Sequence, residues 1–272
     1  MAKASLVYLK PNLRNNPPHH HMRLNRFLAA AGLGSRRSCD QIISSGAVVI
    51  NGTRIQNLAT QVSEDDDVRV NGRRIHSSTP VTLLLHKPRG FVVTRSDERG
   101  RRTVYDLIPP EYSTLFHVGR LDKESEGLLL MTNDGALAQR LTHPSHTIEK
   151  EYEVTLDKAF DPAHQEKLLK GFHIEGGKAK FERLRILAPK VVQVTLRQGL
   201  KRQIRHMLYT MGYEVERLRR TRIAGLTDYR LPPGACRRLT EKESALLVAK
   251  PITKKPRLKP ASDERPKPAR KR

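Results

Sequence analysis

Residues 116–135, FHVGRLDKESEGLLLMTNDG, set one aspartate in a connection between two strand-like apolar runs. Leu128, Leu129, Leu130 and Met131 are continuously apolar and are followed by the turn residues Asn133, Asp134 and Gly135, the composition of a buried strand. Residues 119–127 are then a shaped connection with a glycine at each end. Asp122 lies inside it, flanked by the cations Arg120 and Lys123. A loop between two strands is where a rigid scaffold holds a catalytic acid. Taken alone, R-x-D equally describes an exposed aspartate in a weak ion pair, so the rest of the chain has to decide.

Moving outward, strand composition recurs at residues 81–85, 91–94, 151–156, 184–186 and 191–196, with helical patterns at 135–141, 162–169 and 202–211. Runs of strands with a few helices between them imply an α+β domain on a largely antiparallel sheet, assigned to residues 81–249. Ser77, Ser78, Thr79 and Pro80 read as a linker. Ahead of it, residues 22–77 form a smaller module. Leu24, Phe27, Leu28 and Ala31 mark one face of a helix stopped at Gly32, and Ser35 is a suitable N-cap for a second helix carrying Cys39, Ile42 and Ile43. Two apolar pairs of strands follow, each turning at an Asn-Gly dipeptide, Asn51 with Gly52 and Asn71 with Gly72.

The chain of 272 residues is 37% hydrophobic and carries a net charge of +23. Residues 250–272 hold ten Lys or Arg against Asp263 and Glu264, and five prolines break any helix, so this segment is expected to be a disordered polycationic arm. Residues 1–21 form a second arm carrying Lys3, Lys10 and Arg14. Subtracting both arms leaves +12 on the remainder. An excess of one sign on that scale points to nucleic acid as partner. No apolar run approaches the ~20 residues of a membrane span, and no secretory pattern opens the chain, so a cytoplasmic location is expected. Cys39 and Cys236 lack C-x-x-C spacing, and His19, His20 and His21 adjoin no Cys or carboxylate cluster, so neither a disulfide framework nor a metal site is expected.

The pattern G-R-L-D-x-x-S-x-G-L-L at residues 119–129 resembles the nucleophile loop of the pseudouridine synthases that modify ribosomal RNA. His86–Lys87–Pro88–Arg89–Gly90 is similar to the K-P-x-G opening of the same family, whose catalytic domain is a mixed sheet crossed by a central cleft. R-L-N-R-F-L-A near the start and G-x-V-x-I-N-G later resemble the small RNA-binding module named after ribosomal protein S4. Residues 198–207, QGLKRQIRHM, resemble the family's later motif, with His206 where an arginine is more usual, and Lys150, Glu151 and Tyr152 resemble its K-x-Y segment. Further similarity, through Gly212, Tyr213, Glu214 and Val215 and the basic run at 219–222, is to the single-site large-subunit branch, with Ala235 and Cys236 replacing a more typical Glu-Trp.

The resemblance implies isomerisation of uridine to pseudouridine without cofactor or metal. It makes Asp122 the nucleophile, Arg205 its charge partner, and Tyr152 the ring against the target base. Ile204 is then a candidate for the opposite wall of the pocket, and Arg120 and Arg202 for substrate contact. A nucleophilic carboxylate must stay ionised in a cleft that excludes water, and an arginine beside it opposes the desolvation that would protonate it. Arg23, Arg26, Arg36 and Arg37 lie off the apolar helix faces and can reach phosphates without disturbing the core. RNA is the implied partner, 23S rRNA near the peptidyl-transferase region first and tRNA second, with the protein acting as a monomer without an obligatory protein partner.

Three rival readings remain. A non-catalytic RNA-binding or ribosome-assembly protein would share the charge, the arms and the front module, and only Asp122, Tyr152 and Arg205 separate it. Metal-dependent phosphoryl chemistry would have to use Asp97 and Glu98 or Asp65, Asp66 and Asp67, which lack ligand spacing. Hydrolysis by paired carboxylates, Asp122 with Glu124 or Glu126, would leave an abasic site.

Overall fold

The computed structural model describes residues 21–63, 65–76, 78–228 and 230–248. The expected arms at 1–21 and 250–272, including His19 and His20, fall outside the described residues except for His21. No helix among the described residues is long and apolar enough to cross a membrane.

In the front module, helix Leu24–Ala30 buries Leu24, Phe27 and Leu28 against Cys39 and Ile43 of helix Arg36–Ser44. Ser35 caps the second helix, its hydroxyl accepting from the Ser38 amide at 3.1 Å. A four-stranded sheet completes this core, ordered Thr53–Ile55, Val48–Ile50, Val68–Val70, Arg73–Arg74. Both hairpins turn at the expected Asn-Gly pairs, with positive φ at Asn51, Gly52, Asn71 and Gly72, as a type I′ turn requires. The apolar residues of this module form a hydrophobic cluster of their own.

The second part is a nine-stranded mixed sheet. Its main path runs Arg183–Ala188, Val191–Leu196, Lys150–Leu156, Val215–Ile223, Glu126–Thr132, Thr82–Lys87, Cys236–Arg238. Phe116–Val118 pairs beside Glu126–Thr132, and Leu226–Thr227 beside Val215–Ile223. All these pairings are antiparallel except one. The two halves of the sheet join where Glu126–Thr132 runs parallel to Val215–Ile223, through Arg219 opposite Glu126 and Arg220 opposite Gly127. Asp122 lies four residues before that junction.

Strand Glu126–Thr132 is buried along its whole length because both faces of the sheet are covered. Leu129 and Met131 join the main core with Leu83 and Leu85, while Leu128 and Leu130 face the opposite way, towards Leu84, Val118, Leu141 and Leu247. The latter two come from helices Gly135–Thr142 and Glu241–Val248. Asp134 caps the first of these, accepting from the Ala136 and Leu137 amides.

Residues 91–94 depart from expectation. They are not a strand: Val92 makes an isolated bridge to Thr103, and Phe91 and Val93 are buried from an irregular segment. Strand Val215–Ile223 runs through the middle of the sheet although its sequence, VERLRRTRI, reads as a polar basic stretch. The hairpin Phe172–Ile174 with Gly177–Ala179 and helix Glu241–Val248 likewise carry no clear periodic signal.

Candidate active site

Asp122 sits half-buried in the loop between Phe116–Val118 and Glu126–Thr132, and its carboxylate accepts no hydrogen bond from a described residue. The loop is held by its backbone instead. The Ser125 amide donates to the Asp122 carbonyl at 3.0 Å, and the Gly90 amide to the Lys123 carbonyl at 2.9 Å. Beneath it is a residue to which the sequence assigned no role, Lys87. Its side chain is fully buried, and its Nζ donates to the carbonyls of Ser125 (2.6 Å), Pro88 (3.0 Å) and Lys123 (3.3 Å). Burial pushes the Lys87 ammonium down to about 8, against the pull of Glu124, Asp122 and Glu126. The K-P-R-G segment therefore acts as a clamp on the loop, and a lysine inside an apolar strand run is the signal that marks it.

Gly127 completes the mount. At φ +108°, it brings its backbone so close to the neighbouring strand that a Cβ there would lie 2.3 Å from the Arg220 carbonyl oxygen. Arg220 is itself buried, donating from Nε to the Leu128 carbonyl at 2.6 Å, with one guanidinium nitrogen unpartnered. Next to it Arg217 grips Glu126, with contacts of 2.6 and 2.7 Å.

Arg205 reaches this loop from helix Gln203–Thr210. Its guanidinium donates to the Val215 carbonyl at 2.7 Å and to the Glu124 carbonyl at 3.4 Å, and its Nε is buried without a partner. No ion pair between Arg205 and Asp122 is closed among the described residues. Asp122 nevertheless acts on Arg205 electrostatically: burial and then Arg202 lower the guanidinium pKa, and the Asp122 charge opposes them. Arg205 thus carries its charge beside the Asp122 loop while bonding to the loop's main chain.

Tyr152, on strand Lys150–Leu156, is opposite Arg220 on one side and Val194 on the other. Its ring is 8% exposed and belongs to the same apolar cluster as Leu121, Leu196 and Ile204, and its hydroxyl has no protein partner among the described residues. Ile204 is packed in that core at 4% exposure. Two residues before Tyr152, Lys150 is lowered to about 8 by burial and by Arg220. Lys87 therefore feels three carboxylates, Glu124, Asp122 and Glu126, and Arg205 feels Asp122 and Glu124, which places Asp122 near both of these cations. Positive charge at such a site suits a polyanionic substrate.

The remaining candidates divide by position. Arg202 is exposed at the start of helix Gln203–Thr210, with a left-handed backbone at φ 51°. Arg120 is exposed and lines a groove of 1530 Å³ that runs between the front module and the sheet domain. Arg26 and Arg36 line the same groove from the other wall, joined by Arg95 and Arg140, which sequence reading passed over. Arg23 and Arg37 are exposed but do not line it. The groove's one carboxylate, Asp134, is engaged in capping its helix. Across the junction the Ser78 hydroxyl donates to the Ala30 carbonyl, Asn133 donates to Ser78 at 2.9 Å, and Gly32 packs against Thr114.

Comparison with known proteins agrees with this arrangement. Residues 81–210 match the family model described as RNA pseudouridylate synthase, and residues 22–68 match the S4 domain. The chain is 36% identical to ribosomal large subunit pseudouridine synthase B of Bacillus subtilis over 84% of this chain and 96% of the relative. It is also 36% identical to the dual-specificity RNA pseudouridine synthase RluF of Escherichia coli K12, over 93% of this chain and 87% of that one. A crystal structure of a pseudouridylate synthase superposes with a TM-score of 0.61 at 28% identity, covering 83% of this chain and 99% of the other. A nine-stranded sheet carrying Asp122 on a clamped loop, preceded by an S4 domain and matched along most of the chain by these relatives, shows that the protein belongs to the RNA pseudouridine synthases, isomerases that convert uridine to pseudouridine within RNA.

Proposed function

We propose that the chain isomerises a uridine of large-subunit ribosomal RNA, with Asp122 as the nucleophile. The observation that carries this reading is the Asp122 loop itself: a carboxylate free of hydrogen bonds, on a main chain fixed by Lys87 and Arg205, beside the cluster that holds Tyr152. The similarity to a synthase named for the large ribosomal subunit supports the substrate class.

The reaction breaks the bond from the anomeric carbon to uracil N1 and forms one from that carbon to C5, so the uracil must leave the sugar, turn and return without escaping. Asp122 supplies the carboxylate that attacks the substrate. Arg205 and Lys87 place positive charge beside it. Tyr152 offers a ring edge and a free hydroxyl next to the everted base, with Ile204 and Leu121 in the same apolar wall. Arg202 and Arg120 meet the backbone on either side of the target. The S4 module, residues 22–77, presents Arg23, Arg26, Arg36 and Arg37 to more distant phosphates, and residues 81–249 carry out the chemistry as a cytoplasmic monomer without a cofactor.

The test is tritium release from [5-³H]uridine-labelled large-subunit rRNA and, in parallel, tRNA, in the presence of EDTA. The wild-type protein is expected to release tritium from rRNA, and Asp122→Asn to release none while retaining RNA affinity. Turnover by Asp122→Asn would overturn the nucleophile assignment, and release from tRNA alone would overturn the substrate.

A further inference from the structure

Tyr209 is 73% exposed, the most exposed large apolar side chain among the described residues, in a chain with only seven tyrosines, six phenylalanines and no tryptophan. Its side chain makes no hydrogen bond or ring contact with any described residue. Leaving such a ring in water forgoes the gain from burying it, which singles it out from the usual scatter of surface aliphatics.

Its surroundings specify a ligand. Helix Gln203–Thr210 buries Gln203, Ile204, Met207 and Leu208, so the opposite face carries Arg205, His206 and Tyr209, with Arg202 at the cap. Tyr209 follows Arg205 by four residues and His206 by three, and these spacings make neighbours on a helix surface. Helical side chains also lean towards the N-terminus, which brings the Tyr209 ring over the turn that holds Arg205 and His206. Arg205 touches the Glu124 carbonyl in the Asp122 loop, so this face adjoins the rim of the active site. No carboxylate is paired with Arg202, Arg205 or His206 among the described residues. An unburied aromatic ring beside Arg202, which has no ion-paired carboxylate among the described residues, suits a polyanion that also presents flat apolar faces.

We propose that Tyr209 is a stacking platform for an unpaired nucleotide of the RNA substrate adjacent to the target uridine, with Arg202 and His206 taking its phosphates. The proposal rests on RNA being the substrate and adds a base subsite outside the catalytic pocket. Stacking on an aromatic side chain tolerates any base and contributes by apolar contact, so its loss leaves the ionic contacts in place. Turning a base outward for chemistry unstacks its neighbours, and a platform one helical turn from Arg205 would hold such a neighbour.

The experiment uses the full chain and a short uridine-rich RNA carrying one 2-aminopurine, whose fluorescence falls when the base stacks. Wild-type protein and Tyr209→Phe are expected to quench it and bind equally. Tyr209→Ala is expected to lose the quenching and to bind about 5- to 150-fold more weakly, with an unchanged slope of log Kd against log salt and an unchanged unfolding temperature. Equal binding by Tyr209→Ala overturns the proposal, as does a weakening accompanied by a shallower salt slope, or one shared by Tyr209→Phe. Tritium release from rRNA is measured alongside. Wild-type protein that binds and quenches without isomerising would overturn the substrate assignment and leave the stacking site standing.

Discussion

Replacing Gly127 by alanine tests whether the junction between the two halves of the sheet mounts the Asp122 loop. The backbone there has φ +108°, which an L-residue adopts only at a cost of about 1–3 kcal/mol. A Cβ would also stand 2.3 Å from the Arg220 oxygen and 2.5 Å from its nitrogen, whereas an unstrained contact needs ~3.5 Å. Neither atom can move aside, because both are main chain in a central strand. Separating the strands by about 1 Å adds a further ~1–3 kcal/mol, as overpacking typically does. The sum, about 2–6 kcal/mol, corresponds to a fall in Tm of about 5–20 °C. Gly100→Ala is the control: φ is +66° but nothing lies within 4 Å of its Cβ, so only the conformational cost, about 1–2 kcal/mol, should be seen. Calorimetry of the two variants measures the difference, and single-turnover isomerisation measures its consequence. A 1 Å displacement of Asp122 should slow the chemical step by up to about 100-fold. If Gly127→Ala unfolds within ~1 kcal/mol of Gly100→Ala and turns over at the wild-type rate, the parallel junction does not hold the loop and the reasoning fails.

Lys87→Met should remove the ammonium donor from the carbonyls of Pro88 and Ser125, while the Lys123 carbonyl keeps the Gly90 amide, costing about 2–4 kcal/mol at pH 7 after the relief of burying a charge. Its kcat should fall further than its KM rises, and an unchanged kcat would remove Lys87 from the account of the loop. Lys150 has a folded pKa of about 8 against an ordinary 10.5, so the unfolded chain holds more protons between these values and this group makes folding more favourable as pH rises through that window. Wild-type stability should therefore gain on that of Lys150→Met between pH 7.5 and 10 in denaturant titrations, and a constant difference would show that Lys150 is not desolvated. Arg36→Ala combined with Arg120→Ala, from opposite walls of the groove, should reduce the slope of log Kd against log salt for rRNA by about 2. An unchanged slope would place the RNA elsewhere.

Local rules suffice for much of this protein. The Asn-Gly pairs set two hairpins, Ser35 and Asp134 set helix starts, and the four apolar residues from Leu128 to Met131 set a doubly buried strand, because each signal is contained within a few residues. The motif around Asp122 was equally legible as a loop between strands. Strand Val215–Ile223 was not, since the arginines that make its sequence look like surface are accommodated by partners distant in the chain, Arg217 by Glu126 and Arg220 by the Leu128 carbonyl. Residues 91–94 failed in the opposite sense: their β-type composition expresses burial of Phe91 and Val93, which a core can provide to an irregular segment without a ladder. What Lys87 and Gly127 touch was likewise not legible along the chain, although both residues stand out in it. An ammonium within reach of three carbonyls and a glycine pressed against another strand are relations across the sheet, and only the folded topology brings those atoms together. Sequence therefore determined the hairpins, the helix starts and the doubly buried strand, and it singled out the candidate residues for chemistry. Tertiary structure decided which main-chain contacts fix the carboxylate, and that the S4 module and the sheet domain share one basic groove.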